Sequence, residues 1–176
     1  TTVHFAGCEL ARKMPVQKPG RSEQSVGTPP EFIRSVHSFL GIDKFAVDLA
    51  ASKRNTLSDI YFSEQNDALA QPWSRCIPSG GWAWLNPPYS DITPWVRKAA
   101  EEKYLLPNYS GIAMLVTASV GSNWWRDYVH EQADVRFLNG RITFVGHKQG
   151  YPKDVALLLY SLGRTPGYHI WNWRNE

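Results

Sequence analysis

The sequence predicts an α/β domain built on a doubly wound, mostly parallel sheet with helices on both faces. Short apolar runs of strand length alternate with segments whose apolar residues recur at helical spacing, which is typical of parallel strands joined by helices. Several strand-like runs then follow one another, which predicts an antiparallel strand at the C-terminal end. A length of 176 residues with 43% hydrophobic and 20% charged residues suits one globular domain.

The first predicted element is a helix that begins near residue 28. Residues 1–27 lack clear periodicity, and we interpret them as an irregular N-terminal arm. Thr28 is expected to cap the helix, with prolines in the first turn and Glu31 three residues after the cap. Apolar residues at helical spacing from Phe32 onwards extend this helix to Gly41, a residue type that commonly ends helices.

The remaining elements follow from apolar runs and from the glycines and prolines between them. Strands are predicted at residues 45–51, 82–85, 112–117, 135–138, 142–145 and 155–160, and helices at residues 93–104 and 122–131. Residues 55–62 fit neither pattern. Ligands of such sheets bind outside the carboxyl ends of the strands, so residues that end or follow a strand are the first candidates for a site.

One segment at a strand end carries a specific chemical signal. Residues 86–89, Asn-Pro-Pro-Tyr, follow the predicted strand 82–85 and are called the NPPY segment below. The Asn86 side-chain oxygen and the Pro87 carbonyl are acceptors suited to the two N–H bonds of an amino group on an aromatic ring. The prolines restrict the backbone that aims these acceptors, and Tyr89 offers a face for stacking a base. The structural alternative is a tight turn with a buried tyrosine.

A carboxylate is expected at the same edge of the sheet. Asp48 lies near the end of the predicted strand 45–51, and Asn86 follows the strand 82–85. Because the carboxyl ends of parallel strands meet at one edge of a sheet, the sequence predicts that Asp48 and the NPPY segment lie at the same edge.

The composition excludes several classes of protein. No apolar run is long enough to cross a membrane, and residues 1–10 lack the regions of a signal peptide. The two cysteines lack the spacing of a metal site, so we expect a cytoplasmic protein without a metal. A net charge of +3 permits a polyanionic partner without requiring one.

A series of short blocks resembles one known family. The blocks are residues 28–32, 48–52 followed by Asn55, 61–62, 67–69 with Trp73 at the end of that block, 86–90, 124–125 and 140–144. In this order they resemble the small, phage-type DNA adenine-N6 methyltransferases that use S-adenosylmethionine. The resemblance implies a Rossmann-like methyltransferase fold over residues 28–176 and methyl transfer to the N6 amino group of an adenine flipped out of double-stranded DNA. The chain leaves little room for a large separate target-recognition domain, which predicts short or relaxed sequence specificity.

The resemblance also implies roles for individual residues. The catalytic residues are expected to be Asn86, Pro87, Pro88 and Tyr89. The residues expected to bind the cofactor are Thr28, Pro29, Pro30, Phe32, Asp48, Ala50 and Asp67. The residues expected to bind DNA are Trp124, Trp125, Arg126 and Arg141. Lys148 and Lys153 are added from their charge, because they lie in a basic loop before the last predicted strand that could follow backbone phosphates, and solvated surface charge is the structural alternative.

Three alternatives remain open from the sequence. The same amide and carbonyl acceptors serve an RNA adenine or a protein glutamine amide. They also serve the N4 amino group of cytosine, although Asn86 at the first motif position favours adenine. Finally, Ala50, Ala51 and Ser52 stand where methyltransferases more broadly carry glycines, which leaves a nucleic-acid-binding module with a decayed cofactor site.

Overall fold

The computed structural model of the protein describes residues 27–176 and contains one six-stranded sheet. Its strands are β1 (Val47–Asp48), β2 (Trp82–Leu85), β3 (Gly111–Thr117), β4 (Asp134–Leu138), β5 (Val155–Tyr160) and β6 (Gly167–Trp171). Its α-helices are α1 (Pro30–Leu40), α2 (Thr93–Glu102) and α3 (Asn123–Tyr128). The predicted arm, residues 1–27, lies outside the described residues except for Gly27.

The sheet is parallel except for β5. Its spatial order is β1-β2-β3-β5-β4-β6, and β5 pairs antiparallel with both of its neighbours. The other pairs are parallel, which confirms the mostly parallel α/β sheet. The last strand predicted from the sequence, residues 155–160, is β5, so the predicted antiparallel strand is confirmed. The sequence did not predict β6, which follows β5 and runs parallel to β4. All six residues of β5 are buried, as suits an internal strand, whereas β6 exposes three consecutive residues, as suits an edge.

Helices pack on both faces of the sheet, as predicted. On one face, Phe32 and Val36 of α1 join a core that includes Trp84 of β2. On the other face, Val96 of α2 and Trp125 of α3 join a second core. Because successive strand residues point to opposite faces, each central strand contributes to both cores. Among residues 27–176, no helix is both long enough and apolar enough to span a membrane.

The chain changes its direction of travel across the sheet after β1. On one side of β1, Tyr61 forms a parallel bridge with Asp48. The chain then returns to the other side, where β2 pairs with β1 and places Trp84 opposite Asp48. The crevice between the carboxyl ends of β1 and β2 is therefore a topological switch point, which is where open α/β sheets bind ligands. Asp48 ends β1 and Asn86 directly follows β2, so the predicted shared rim is present.

Residues 142–145 do not form the predicted strand. Ile142 and Phe144 are buried while Thr143 and Val145 are exposed, so the alternation that predicted a strand is real. Within residues 27–176 the segment pairs with no strand, and it belongs instead to the connection between β4 and β5, residues 139–154. We call this connection the β4–β5 loop. Two helices are also shorter than predicted, since α2 ends at residue 102 and α3 spans only residues 123–128.

Candidate active site

The NPPY segment leaves β2 at the switch point with two acceptors available. Asn86 is half-buried, and its Nδ2 donates a hydrogen bond of 3.3 Å to Thr28 Oγ1. That bond uses the amino end of the carboxamide and leaves Oδ1 as an acceptor. Within residues 27–176, neither Asn86 Oδ1 nor the Pro87 carbonyl accepts a hydrogen bond from another group. Two consecutive residues just beyond β2 therefore each carry an acceptor that no described group uses.

Thr28 has a different structural role from the predicted helix cap. α1 begins at Pro30, its N-cap is Pro29, and no side chain caps it. Pro29 takes the cap position because its backbone is extended (φ −62°, ψ 137°) and its carbonyl accepts from the amide of Phe32. Thr28 is therefore one residue too early to cap the helix, and its buried hydroxyl contacts Asn86. Pro29 and Pro30 also lack N–H groups, so α1 offers an anion fewer free amides than most helices do.

A cavity of about 690 Å³ opens beside the NPPY segment. Its opposite wall is the β4–β5 loop, which contributes Phe144, Lys148 and Tyr151. The lining therefore combines acceptors, aromatic rings and a cation, and the volume lies within the range typical of ligand sites.

Three aromatic rings form the apolar part of this cavity. The Tyr151 ring lies edge-on to Tyr89 at 6.3 Å and to Phe144 at 5.5 Å between centroids. Tyr89 packs on the core, and its buried hydroxyl has no partner within residues 27–176. Burial raises the pKa of Tyr89 above its ordinary value, so the phenol stays neutral. Neither Phe144 nor Tyr151 was predicted from the sequence as a site residue, although Phe144 lies in the block 140–144 that contributed to the family resemblance.

Asp48 organises the loop that follows β1. Its Oδ1 accepts from the amide of Ala50 at 3.3 Å, and its Oδ2 accepts from the amide of Leu57 at 3.0 Å. Asn55 closes the same loop by accepting from the amide and hydroxyl of Ser52. Asp48 is only 2% exposed, and this burial raises its pKa to about 6 despite the two backbone hydrogen bonds. A buried carboxylate of this kind favours a cationic partner, because a nearby positive charge stabilises its charged form.

The other predicted cofactor residues differ in their surroundings. Phe32 is fully buried and packs edge-on against Trp84 and Trp173, so the structure places it in the core, and its contact with a cofactor stays a prediction. Its large apolar side chain lies on the inner face of α1 and packs in the core on that side of the sheet. Ala50 is half-buried and donates its amide N–H to Asp48. Asp67 is exposed, and its backbone lies in the left-handed region (φ 46°). Among the described residues, no group of His, Cys, Asp and Glu side chains is arranged to hold a metal.

The predicted DNA contacts on α3 divide between core and surface. Trp125 is 1% exposed and its indole N–H donates to the Tyr168 hydroxyl at 3.2 Å, so the structure places it in the core, and its contact with DNA stays a prediction. It lies on the inner face of a short helix, where an apolar ring is packed rather than exposed. Trp124 is half-buried, and Arg126 is exposed and paired with Asp127 at 2.7 Å.

The other three predicted DNA contacts lie together on the β4–β5 loop. Arg141, Lys148 and Lys153 are all exposed. Lys148 lines the cavity of about 690 Å³, while Arg141 and Lys153 line a second cavity of about 220 Å³. Arg141 also pairs with Asp154 at 3.4 Å. Basic side chains therefore border both cavities.

Comparison with known proteins identifies one family. The family model for DNA N-6-adenine-methyltransferase (Dam) matches residues 18–157. The DNA N-6-adenine-methyltransferase of Haemophilus phage HP1 (strain HP1c1) is 26% identical over 112 residues, which cover 63% of this chain and 61% of the relative. The enzyme of the same name from Escherichia phage T1 is 28% identical over 116 residues, which cover 66% of this chain and 45% of the relative. The matched part thus spans less than two thirds of either relative. Since the family model covers most of the sequence, the chain belongs to the DNA N-6-adenine-methyltransferase (Dam) family.

Proposed function

We propose that this protein transfers a methyl group from S-adenosylmethionine to the N6 amino group of an adenine flipped out of double-stranded DNA. The observation that carries the proposal is the pair of available acceptors, Asn86 Oδ1 and the Pro87 carbonyl, at the switch point and beside a cavity of about 690 Å³. Family membership and the activity named for the two phage relatives support it.

The residues at the crevice fit the proposed cofactor. S-adenosylmethionine, when bound, supplies an electrophilic methyl group on a positively charged sulfur and carries an ammonium and a carboxylate. The buried carboxylate of Asp48 at the end of β1 suits the ammonium group. The loop from Ala50 to Leu57, which Asp48 holds by two backbone hydrogen bonds, provides a preorganised wall without glycines. A mostly parallel sheet with one internal reversed strand is also consistent with a Rossmann-like methyltransferase topology.

The two acceptors solve the main chemical difficulty of the reaction. The lone pair of an adenine amino group is delocalised into the ring, so the nitrogen is a poor nucleophile. Asn86 Oδ1 and the Pro87 carbonyl accept from its two N–H bonds and draw the nitrogen towards tetrahedral geometry, which directs the lone pair at the methyl donor. Pro87 and Pro88 fix the loop, so little reorganisation is needed at the moment of transfer. The proton leaves after the methyl group arrives, and no charged base is required.

The cavity suits an extruded base. A base inside a duplex is out of reach, and flipping it out costs a few kcal/mol. Stacking on an aromatic side chain returns about 1–3 kcal/mol per base. Tyr89 and Tyr151 flank the cavity and are the residues we expect to supply that stacking.

The proposal is tested by incubating the protein with labelled S-adenosylmethionine and matched double-stranded DNA, RNA and a glutamine-containing peptide. We expect label in DNA and N6-methyladenine in its digest. Label found only in RNA or only in the peptide would show that DNA is not the substrate. N4-methylcytosine in the digest would show that the target base is cytosine. Calorimetry that detects no cofactor binding with or without DNA would favour a nucleic-acid-binding module instead.

Replacing Tyr151 by alanine is expected to weaken base capture. Loss of one stacking partner worth about 1–3 kcal/mol should raise KM for DNA by about 5- to 150-fold. A 2-aminopurine base at the target position should show less fluorescence increase on binding. Tyr151→Phe keeps the ring and should behave like the wild type. Tyr109→Ala is a suitable control, because Tyr109 is exposed before the start of β3, at the opposite edge of the sheet. An unchanged fluorescence increase in Tyr151→Ala would exclude this role.

The exposed cations of the β4–β5 loop are expected to bind backbone phosphates. Each phosphate contact contributes about 0.9 to the slope of log Kd against log salt concentration, because bound cations release counterions from DNA. Lys148→Ala and Lys153→Ala are therefore each expected to reduce the slope by about one. Lys44→Ala, an exposed lysine before the start of β1 at the opposite edge, should leave the slope unchanged. If the slopes of Lys148→Ala and Lys153→Ala both equal the wild-type slope, the DNA does not contact these two lysines.

We also propose short or relaxed sequence specificity, exercised in the cytoplasm of the host cell. The β4–β5 loop supplies the wall of the cavity, and residues 27–176 form a single sheet with its helices. Sequencing of modified sites on a plasmid exposed to the protein tests this, and a long, strict consensus would contradict it.

A further inference from the structure

We infer that Thr28 is a positioning residue that fixes which end of the Asn86 carboxamide faces the target amino group. The inference rests on the proposed function and concerns the orientation of one side chain. In this structure Thr28 Oγ1 accepts from Asn86 Nδ2 at 3.3 Å, which directs the oxygen end of the carboxamide away from Thr28.

An asparagine at this position needs such a partner. The two ends of a carboxamide have nearly the same shape but opposite hydrogen-bonding character, since Oδ1 accepts and Nδ2 donates. With Oδ1 towards the target, the side chain accepts an N–H bond of the adenine amino group. With Nδ2 towards the target, two donors would face each other and the lone pair would lose its alignment. A carboxylate at the same place would have no wrong end, so the requirement arises from Asn86 itself.

The surrounding backbone holds the two side chains at a fixed separation. Thr28 and Asn86 each directly precede two prolines, and a proline restricts the conformation of the residue before it. On the other side of Thr28, the carbonyl of Gly27 accepts a hydrogen bond of 3.0 Å from the amide of Val145 in the β4–β5 loop. Thr28 is only 9% exposed, so water does not readily replace its hydroxyl as the partner of Asn86.

The hydroxyl also has a proton of its own to donate. A threonine hydroxyl can accept from Nδ2 or donate to Oδ1, so it enforces one orientation once its proton is given to a different acceptor. The carboxylate of the proposed cofactor is an acceptor of that kind. Thr28 would then orient Asn86 most strictly in the protein that has bound its methyl donor.

Two substitutions separate this role from packing. Thr28→Val keeps the shape and removes the hydroxyl, whereas Thr28→Ser keeps the hydroxyl and removes a methyl group. We expect Thr28→Val to lower kcat about ten- to a hundredfold at saturating cofactor and DNA, since small errors of alignment cost up to about a hundredfold. Thr28→Ser should recover most of that loss. If Thr28→Val does not fold, Thr28→Ala removes the hydroxyl with less crowding.

A second readout does not depend on turnover. The Asn86 side-chain NH₂ signals in a ¹⁵N–¹H spectrum are assigned by their loss in Asn86→Ala and compared with and without S-adenosylmethionine. We expect them to shift in Thr28→Val and to return in Thr28→Ser. Unchanged signals in Thr28→Val would overturn the inference, as would equal loss of kcat in the Val and Ser variants or an effect confined to KM for the cofactor. If the wild type methylates no substrate, the proposed function fails, and the spectra still decide the role of Thr28.

Discussion

Replacing Asn86 by alanine is expected to lower kcat by about two to three orders of magnitude, which is the usual effect of removing one preorganised polar group that acts in the transition state. The substitution removes one of the two acceptors for the target amino group and leaves the Pro87 carbonyl, the cavity and Asp48 in place. The Kd for S-adenosylmethionine should therefore stay close to that of the wild type. Single-turnover methylation of DNA and calorimetry with the cofactor measure the two quantities separately.

Two further variants make this result specific. Asn108→Ala removes an exposed amide before β3, at the opposite edge of the sheet, and should be fully active. Asn86→Asp keeps an acceptor at the same position and should retain more activity than Asn86→Ala. Near-normal methylation by Asn86→Ala would exclude Asn86 from the reaction, and loss of cofactor binding in that variant would assign it to the cofactor site.

Replacing Asp48 by alanine is expected to abolish cofactor binding and to lower the melting temperature. The carboxylate accepts from the amides of Ala50 and Leu57, which are partly buried, and an amide left without a partner costs up to about 1–3 kcal/mol when buried. The loop after β1 would lose both attachments and the proposed ammonium partner together. Asp59→Ala, at an exposed carboxylate near the same loop, is the matched control. A stable Asp48→Ala protein that binds the cofactor normally would contradict this role.

The pH dependence of binding follows from the same carboxylate. Burial raises the pKa of Asp48 to about 6, so the side chain is mostly protonated below that pH and charged above it. A cationic ligand favours the charged form, so affinity for S-adenosylmethionine should increase as pH rises through about 6 and level off above. The stability of the ligand-free protein should change in the opposite direction. The folded state holds the proton above the unfolded pKa of 3.8, so this group's contribution to stability falls as pH rises to about 6. Asp48→Asn should remove the binding trend in calorimetry at several pH values.

The parts of the fold that the sequence predicts well are those whose patterns reflect burial. β3 and β5 are almost continuously apolar, and both lie inside the sheet. β6 was not predictable in this way, because the exposed side chains of Tyr168, His169 and Ile170 carry no alternation and its pairing with β4 is set by the tertiary fold. Residues 142–145 show the converse, since their alternation is real but no neighbouring strand is available.

The candidate site divides along a similar line. The shared rim of Asn86 and Asp48 was predictable because each residue ends or follows an apolar strand, and the carboxyl ends of parallel strands meet at one edge of a sheet. Thr28 was identified, but its contact with Asn86 was not, because it joins residues 58 positions apart in the sequence. The sequence did not show that Phe32 and Trp125 belong to the two cores, because an aromatic residue suits a core as well as a ligand site and its packing depends on the tertiary fold.

The reversed direction of β5 has a consequence for how this protein could acquire a new target. Because β5 runs against its neighbours, it starts at the edge of the sheet where β4 ends, and the connection between them stays on that edge. Residues added to or exchanged in this connection would extend across the cavity and leave the strand register unchanged. The crevice between β1 and β2 is built from earlier parts of the chain. Retargeting could therefore be attempted by exchanging only the exposed residues 146–150 of this loop, with Val145 kept because its amide holds Gly27 beside Thr28.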